Sequence, residues 1–274
     1  MSSPRQIIAS GGFDDLKSRD LRFLEEAAKL GQLTILLWTD DLLQKLTGKA
    51  AKFPLAERLY FLNAVRFVTR VVPCGDLTAP DSLHQIPGLR GDIWADVAPA
   101  ANSARERFCR QNKIAYRVFT ADELKGFPEP PPLPSTPGKK KVVATGSFDW
   151  LHSGHVRFLE EVSRYGDLSV VVGHDANIRL LKGEGHPLFP QEERRYVVGS
   201  IKFVTQALIS SGEGWLDADP EIRRLKPEIY AVNDDGDKGG KREYCQKLGI
   251  QYLVLKRAPA PGLPPRNSTN LRGF

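Results

Sequence analysis

Two histidines, His152 and His155, are the residues of this sequence best suited to chemistry. They lie three residues apart in TGSFDWLHSGH, between the apolar run KVVATG and a helical pattern. That spacing places both imidazoles on one face of the first helical turn, beside unpaired N–H groups and the positive end of the helix dipole. Gly146 permits a tight turn, and Gly154 lets an anion approach the backbone. These features predict a polyphosphate site with two imidazole hydrogen-bond donors.

The same histidine pair could instead bind a metal ion. A zinc site needs a third ligand of suitable type, and the other histidines, His84, His174 and His186, show no obvious spacing to the pair. The full pattern G-x-F-D-x-x-H-x-G-H, between a predicted strand and a predicted helix, is more specific than H-x-G-H alone. It favours a phosphate site over a metal site.

The second half of the chain alternates short apolar strands with helical segments. Strands are predicted at KVVATG, DLSVVVG, KFVTQAL, EIYAV and IQYLVL, and two of the helices between them end at Gly166 and Gly249. Asp219 is predicted as an N-cap, with Pro220 in the first helical position. This alternation predicts a parallel sheet with helices on both faces, and ligands beyond the carboxyl ends of its strands.

The chain carries this pattern twice. ASGGFDDLKSRDLRFLEEAAKLGQLTILLWTDD from Ala9 aligns with ATGSFDWLHSGHVRFLEEVSRYGDLSVVVGHDA from Ala144, and later segments repeat in the same order. Between the copies, the closely spaced prolines of FPEPPPLPSTPGKKK favour extended polyproline II structure. We predict two tandem α/β domains related by internal duplication, over residues 1–126 and 141–274, with a proline-rich linker over 127–140.

Composition excludes several classes of protein. The chain is 41% hydrophobic and 26% charged, as in ordinary globular proteins, and no apolar run approaches the ~20 residues of a membrane span. Its net charge of +6 is spread over both halves, without the basic stripe of a nucleic-acid-binding protein. Three cysteines and an N-terminus unlike a signal peptide predict a cytoplasmic protein without a disulfide framework. We expect neither a nucleic-acid nor a membrane partner.

Around the histidine pair, the sequence resembles the nucleotidyltransferases with an H-x-G-H signature, over essentially all of 141–272. It is most similar to phosphoethanolamine and glycerol 3-phosphate cytidylyltransferases and to heptose 1-phosphate adenylyltransferases. The resemblance implies a Rossmann-like sheet and, with Mg²⁺ present, a reaction that joins a nucleotide's α-phosphate to a phosphorylated alcohol or sugar and releases pyrophosphate. His152 and His155 would stabilise the triphosphate in the transition state.

The same resemblance implies roles for other residues. Lys182, in RLLKGEGHP, is the expected catalytic lysine, on a glycine-flanked loop that could close over the phosphates. Arg194 and Lys202 are expected to bind the substrate phosphate. The expected nucleotide-binding residues come from three segments: Thr145, Gly146, Ser147, Phe148 and Gly154; Asn233, Asp234 and Asp235; and Arg266, Ser268 and Thr269. No residue is predicted to bind a metal directly.

The first copy lacks the signature residues. Lys17 and Asp20 replace the two histidines, and Arg19 replaces the glycine between them. The carboxylate of Asp20 would repel a triphosphate. We expect residues 1–126 to be folded but inactive, and to serve as an intrachain pseudo-two-fold partner of the second domain, with further oligomerisation left open.

The sequence thus predicts an enzyme that transfers a nucleotidyl group from CTP or ATP to a phosphorylated small molecule. CMP transfer is favoured because the two-copy architecture resembles the phosphoethanolamine enzymes. Adenylyl transfer is the alternative, because LLKGEGHP is similar to the heptose 1-phosphate enzymes. A nucleotide-binding regulator without turnover is the alternative from a different class.

Overall fold

A computed structural model describes residues 4–75, 90–98, 103–266 and 271. The chain divides into two compact units, Met1–Gly126 and Phe127–Phe274. None of the helices in these described ranges is long and apolar enough to cross a membrane.

The first unit is a five-stranded parallel sheet in the order β3-β2-β1-β4-β5. Its elements, in chain order, are β1 (Gln6–Gly11), α1 (Ser18–Ala28), β2 (Gln32–Trp38), α2 (Asp40–Thr47), α3 (Leu55–Ala64), β3 (Arg70–Cys74), β4 (Ile93–Val97), α4 (Ser103–Gln111) and β5 (Ala115–Phe119).

The second unit repeats this topology in the order β10-β9-β6-β7-β8. Its elements are β6 (Lys141–Gly146), α5 (Ser153–Ser163), β7 (Asp167–Val172), α6 (Asp175–Lys182), α7 (Gln191–Gly199), β8 (Gln206–Ile209), α8 (Asp219–Leu225), β9 (Ile229–Asn233), α9 (Lys241–Leu248) and β10 (Gln251–Leu255). The predicted tandem α/β fold with parallel sheets is confirmed. The strand order reverses between β6 and β9, which is where open α/β sheets bind ligands.

The central strand of the second unit is apolar because both of its faces are covered. Val142, Val143 and Ala144 of β6 are almost fully buried, as expected for a strand inside a parallel sheet. On one side of the sheet, the buried residues of α8 and α9, such as Ile222 and Cys245, form a single cluster with β6 and β9. This core fixes the ends of β6 and β9 relative to each other, and therefore fixes the loops that follow them.

Most predicted elements are present, with three local differences. The strand predicted at KFVTQAL begins only at Gln206, because Lys202 and Phe203 form a turn. Asp219 is the first residue of α8, and Ala218 occupies the N-cap position that was predicted for Asp219. The segment that was predicted as a glycine-flanked loop contains a helix, α6, of which Lys182 is the last residue. The predicted end of α9 at Gly249 is confirmed, because this glycine has the left-handed conformation (φ 68°) common just after helices.

The proline-rich segment over 127–140 belongs to the second compact unit. The backbone N–H of Leu133 donates to the carbonyl of Thr205 (2.9 Å), and that of Thr136 donates to the carboxylate of Asp167 (2.6 Å). These bonds attach the segment to β7 and to the turn before β8. It is therefore an extended strap on the second unit rather than a free linker.

Candidate functional site

A cavity of about 440 Å³ lies at the carboxyl ends of β6 and β9, where the strand order reverses. The sequence-predicted residues that line it come from four segments of the chain: Thr145, Gly146, Ser147 and Phe148; His155; Lys182; and Asn233 and Asp235. The fold thus brings together eight of the sixteen residues that the sequence singled out. His152 is not among the lining residues, although its ring stacks on that of His155.

The two signature histidines stack at the start of α5. Their ring centroids are 4.0 Å apart and the rings are tilted by 31°. Nδ1 of His152 accepts a hydrogen bond from the Gly154 N–H (3.1 Å), so His152 is the N-cap of the helix. Nε2 of His152 and Nδ1 of His155 are buried and have no hydrogen-bond partner among the described residues. Such groups are rare in native proteins, and here they fit a bound anion.

Burial keeps both imidazoles neutral in the absence of a ligand. It lowers the pKa of His152 from 6.5 to about 3, with smaller contributions from the positive charges of Arg257 and Arg266. Burial also lowers the pKa of His155 well below 6.5, and the charges of His152, Arg257 and Lys182 add to this effect, while a hydrogen bond with the backbone of Trp150 opposes it. Since Nδ1 of His152 accepts a bond, its ring proton lies on Nε2, the atom without a partner. A bound triphosphate would favour the protonated rings.

Lys182 reaches the same cavity from the end of α6. Its Nζ donates to the hydroxyl of Ser147 in the loop after β6 (2.6 Å). The helix therefore holds this lysine beside the histidine loop, whereas the sequence interpretation placed it on a mobile lid. A cation in this position can neutralise charge on a phosphate without moving far.

Three further cations that sequence reasoning missed also line the cavity: Lys238, Lys241 and Arg257. Arg257 forms an ion pair with Asp235 (2.6 Å), and Lys241 donates to the carbonyl of Gly236 (3.0 Å). Burial lowers the pKa of Lys241. In the sequence, only the position of Arg257 could have indicated its role: it follows β10, and β10 is adjacent to β9 in the sheet.

Five predicted nucleotide-binding residues are not among the described residues that line the cavity, and the structure describes three of them. Gly154 is closely packed, because a Cβ there would lie 3.0 Å from Cε1 of His152 and 3.3 Å from the carbonyl oxygen of Arg266. The segment containing Arg266 therefore returns to the start of α5. Asp234 is exposed, and its carboxylate accepts from the N–H of Arg257 rather than lining the cavity. Ser268 and Thr269 lie outside the described residues.

Arg194 was predicted to bind the substrate phosphate, but the structure places it elsewhere. Its side chain is 1% exposed, and its guanidinium donates to the carbonyls of Phe189 and Ser147 and to the carboxylate of Asp175 (2.6 Å). In the first unit, Arg58 makes the equivalent bonds to two carbonyls and a carboxylate. An arginine that is buried and bonded in the same way in a copy without the histidines holds loops together, and its guanidinium does not line the cavity.

Lys202 is also absent from the cavity. It is exposed and follows the carboxyl end of α7, before β8 begins, with its Nζ 5.5 Å from the ring centroid of Phe203. The amino ends of the strands and the cavity are at opposite edges of a parallel sheet. The predicted contact of Lys202 with a substrate phosphate is therefore corrected.

The first unit carries different side chains at the equivalent position. Asp20 accepts a hydrogen bond from the N–H of Lys17 (2.8 Å), and Nζ of Lys17 pairs with Asp15 (2.9 Å). Burial raises the pKa of Asp20. Trp38 takes the place of Gly173, which lines the cavity of the second unit, and packs into the core of the first. The helix start of the first unit therefore carries a carboxylate where the second unit has His155.

Comparison with known proteins agrees with this geometry. Residues 143–266 match the family described as cytidylyltransferase-like. An FAD synthase of Ferroglobus placidus is 41% identical over 120 residues, which are 43% of this chain and 75% of that protein. The bifunctional protein HldE of Campylobacter concisus is 34% identical over 146 residues, which are 52% of this chain and 30% of that protein.

Among solved structures, the lipopolysaccharide core biosynthesis protein of Thermoplasma volcanium is 28% identical and covers 45% of this chain and 99% of that one, with a TM-score of 0.38. The parallel sheet, the histidine pair at its switch point and the sequence matches define a nucleotidyltransferase, as the sequence predicted. The chain belongs to the cytidylyltransferase-like family.

Proposed function

We propose that the second unit transfers a nucleotidyl group from a nucleoside triphosphate to the phosphate of a small acceptor and releases pyrophosphate. The observation that carries this proposal is the pair of buried imidazole nitrogens without partners at the start of α5. Four cations, Lys182, Lys238, Lys241 and Arg257, line the cavity that His155 also lines. A helix start, two imidazoles and several cations form a site suited to a triphosphate.

The reaction needs positioning and charge stabilisation more than covalent help from the protein. An oxygen of the acceptor phosphate attacks the α-phosphorus, and the bond from that phosphorus to the pyrophosphate oxygen breaks. Negative charge then grows on the non-bridging oxygens and on the departing pyrophosphate. His152 and His155 would donate hydrogen bonds to these oxygens, and Lys182 would neutralise part of their charge. The acceptor is in place before reaction, which lowers the entropic part of the barrier.

We propose ATP as the nucleotide, with CTP as the second candidate. The FAD synthase that is 41% identical over 120 residues favours adenylyl transfer, because its product contains an adenylyl group. A flavin phosphate is then one acceptor to test. The tandem arrangement of the two copies favours CTP, since it resembles the phosphoethanolamine cytidylyltransferases.

We treat Mg²⁺ as part of the nucleotide substrate. Among the described residues, no group of three or more His, Cys, Asp or Glu side chains could hold a metal ion. Asp235 is paired with Arg257, and Asp217 accepts a hydrogen bond from Ser210 (2.6 Å). The described residues therefore do not fit a resident metal, whereas a triphosphate carries its own oxygen ligands for Mg²⁺.

We propose that the first unit does not catalyse the reaction. The replacement of the two histidines by Lys17 and Asp20 supports this, because a carboxylate at the helix start would repel a triphosphate. Its role as an intrachain pseudo-two-fold partner stays a prediction. Residues 127–274 alone should then dimerise or lose stability, and a stable, fully active monomer of this fragment would contradict the prediction.

The test is pyrophosphate release by the full chain with Mg²⁺ and either ATP or CTP. The acceptor panel contains a flavin phosphate, a sugar phosphate, glycerol 3-phosphate and phosphoethanolamine. We expect release with one nucleotide and one acceptor class, and its loss in His155→Ala. Nucleotide binding without release for any acceptor would support a regulator instead of an enzyme.

A further inference from the structure

The start of α6 is joined to the crossover between β8 and α8 by two side chains. His174 is the N-cap of α6, and its Nδ1 accepts a hydrogen bond from the N–H of Asn177 (3.2 Å). Its other ring nitrogen, Nε2, donates to the carbonyl oxygen of Gly212 (2.8 Å). One imidazole thus ends a helix and holds a loop at the same time.

Asn177 makes the second connection. It is 2% exposed, its Oδ1 accepts from the N–H of Gly214 (2.7 Å), and its Nδ2 donates to the carbonyl of the same glycine (3.1 Å). Gly214 opens a single 3₁₀ turn, Gly214–Leu216. A side chain that bonds both backbone polar groups of one residue fixes the position and the orientation of that residue.

The segment held in this way forms one side of the cavity, and we call residues 214–217 the crossover wall. Gly214, Trp215 and Asp217 all line the cavity. Trp215 also packs closely over Gly239, because a Cβ added to that glycine would lie 2.5 Å from the Cβ of the tryptophan. The crossover wall therefore meets the loop after β9, which carries the residues proposed for nucleotide binding.

The first copy provides an internal comparison. Thr39 replaces His174 and keeps the helix cap, since its hydroxyl accepts from the N–H of Leu42 (3.4 Å). Leu42 replaces Asn177 and is buried in an apolar cluster. The parallel sheet of the first unit therefore forms with an apolar residue in place of Asn177. The polar residues occur in the copy that has the histidine pair, which points to a role in ligand binding rather than in folding.

We infer that Asn177, together with His174, is a positioning residue that holds the crossover wall against the nucleoside of the bound triphosphate. The inference rests on the proposed function for the identity of the ligand. Because Lys182 is on the same helix, α6 sets the position of the catalytic lysine and of the crossover wall together. The two connections thus fix the position of the nucleoside relative to its phosphates.

The test uses two variants of the full chain, Asn177→Leu and His174→Thr. Each introduces the residue that the first unit has at the equivalent position. Asn177→Leu loses both bonds to Gly214, and His174→Thr keeps the cap but loses the bond to Gly212. We expect the Kd for the preferred nucleotide to rise about tenfold in the first variant and about threefold in the second, the scale of one or two lost hydrogen bonds. Asn63→Leu, at an exposed helical position of the first unit, is the control and should leave the Kd unchanged.

Hydrogen exchange of the amides of residues 212–217 separates this inference from the proposed function. Without nucleotide, these amides should be protected in the wild type and exchange faster in both variants, even if no acceptor is ever turned over. Equal exchange in all three proteins, or nucleotide Kd values within twofold of the wild type, would overturn the positioning role. Absence of nucleotide binding by the wild type would refute the proposed function, and the exchange result would still decide whether the connections hold the wall.

Discussion

The two signature histidines should respond differently to substitution, because only His152 also caps a helix. Its Nδ1 accepts the Gly154 N–H, while its Nε2 has no partner among the described residues. The ring of His155, 4.0 Å away, has no such role at the end of the helix. Asparagine is a good N-cap residue and alanine a poor one. His152→Asn should therefore keep the cap and lose the donor, whereas His152→Ala should lose both.

The expected magnitudes follow from these roles. Loss of one preorganised donor costs on the order of 10²–10³ in kcat, so His152→Ala, His152→Asn and His155→Ala should all be nearly inactive. Loss of an N-cap costs about 1 kcal/mol, which corresponds to roughly 2–4 °C in Tm for a domain of this size. His152→Ala should thus be less stable than His152→Asn by that amount, while His155→Ala and His155→Asn should differ little.

The assay combines pyrophosphate release with denaturant unfolding of the full chain. Each alanine variant is compared with its own asparagine variant, so that the loss of the imidazole itself cancels. Equal stability of His152→Ala and His152→Asn would refute the capping role. A variant that retains full turnover would refute the role of its histidine in stabilising the transition state.

Three other predictions concern pH, a buried ion pair and metal. Burial lowers the pKa of His152 to about 3, so between pH 6.5 and pH 3 this histidine is protonated only in the unfolded chain. The free energy of unfolding should therefore fall as the pH drops from 6.5 towards 3. Urea unfolding midpoints should fall less over this range in a double variant that lacks His152 and His155. Arg194→Ala should cost about 3–5 kcal/mol of unfolding free energy, since it leaves a buried network broken, whereas Lys202→Ala should be neutral in the same measurement. EDTA should abolish turnover without changing the Tm of the nucleotide-free protein, and a lowered Tm would reveal a resident metal.

The repeated strands were predictable because they are apolar runs bounded by glycine or proline, and a strand buried on both faces requires that composition. The duplication and the position of the histidine pair followed from spacing alone. Lys182 was harder. Its segment contains glycines, and the eight residues of α6 are too few for a convincing periodic signal.

The failures at Arg194 and Lys202 have a different origin. A sequence shows that a residue is basic, but not whether its charge is satisfied within the protein. Arg194 is satisfied by two carbonyls and Asp175, while Arg257 faces the cavity although no pattern marks it. Such assignments depend on contacts between residues distant in sequence, which only the folded chain displays.

The triphosphate site at the histidine pair is tested most directly by ¹⁵N NMR of the histidine rings of the full chain during titration with ATP or CTP in the presence of Mg²⁺. The protein has five histidines, and one nucleotide per chain should shift the ring signals of His152 and His155 and raise their pKa values. Saturation with nucleotide while these two rings keep their ligand-free signals would contradict this site.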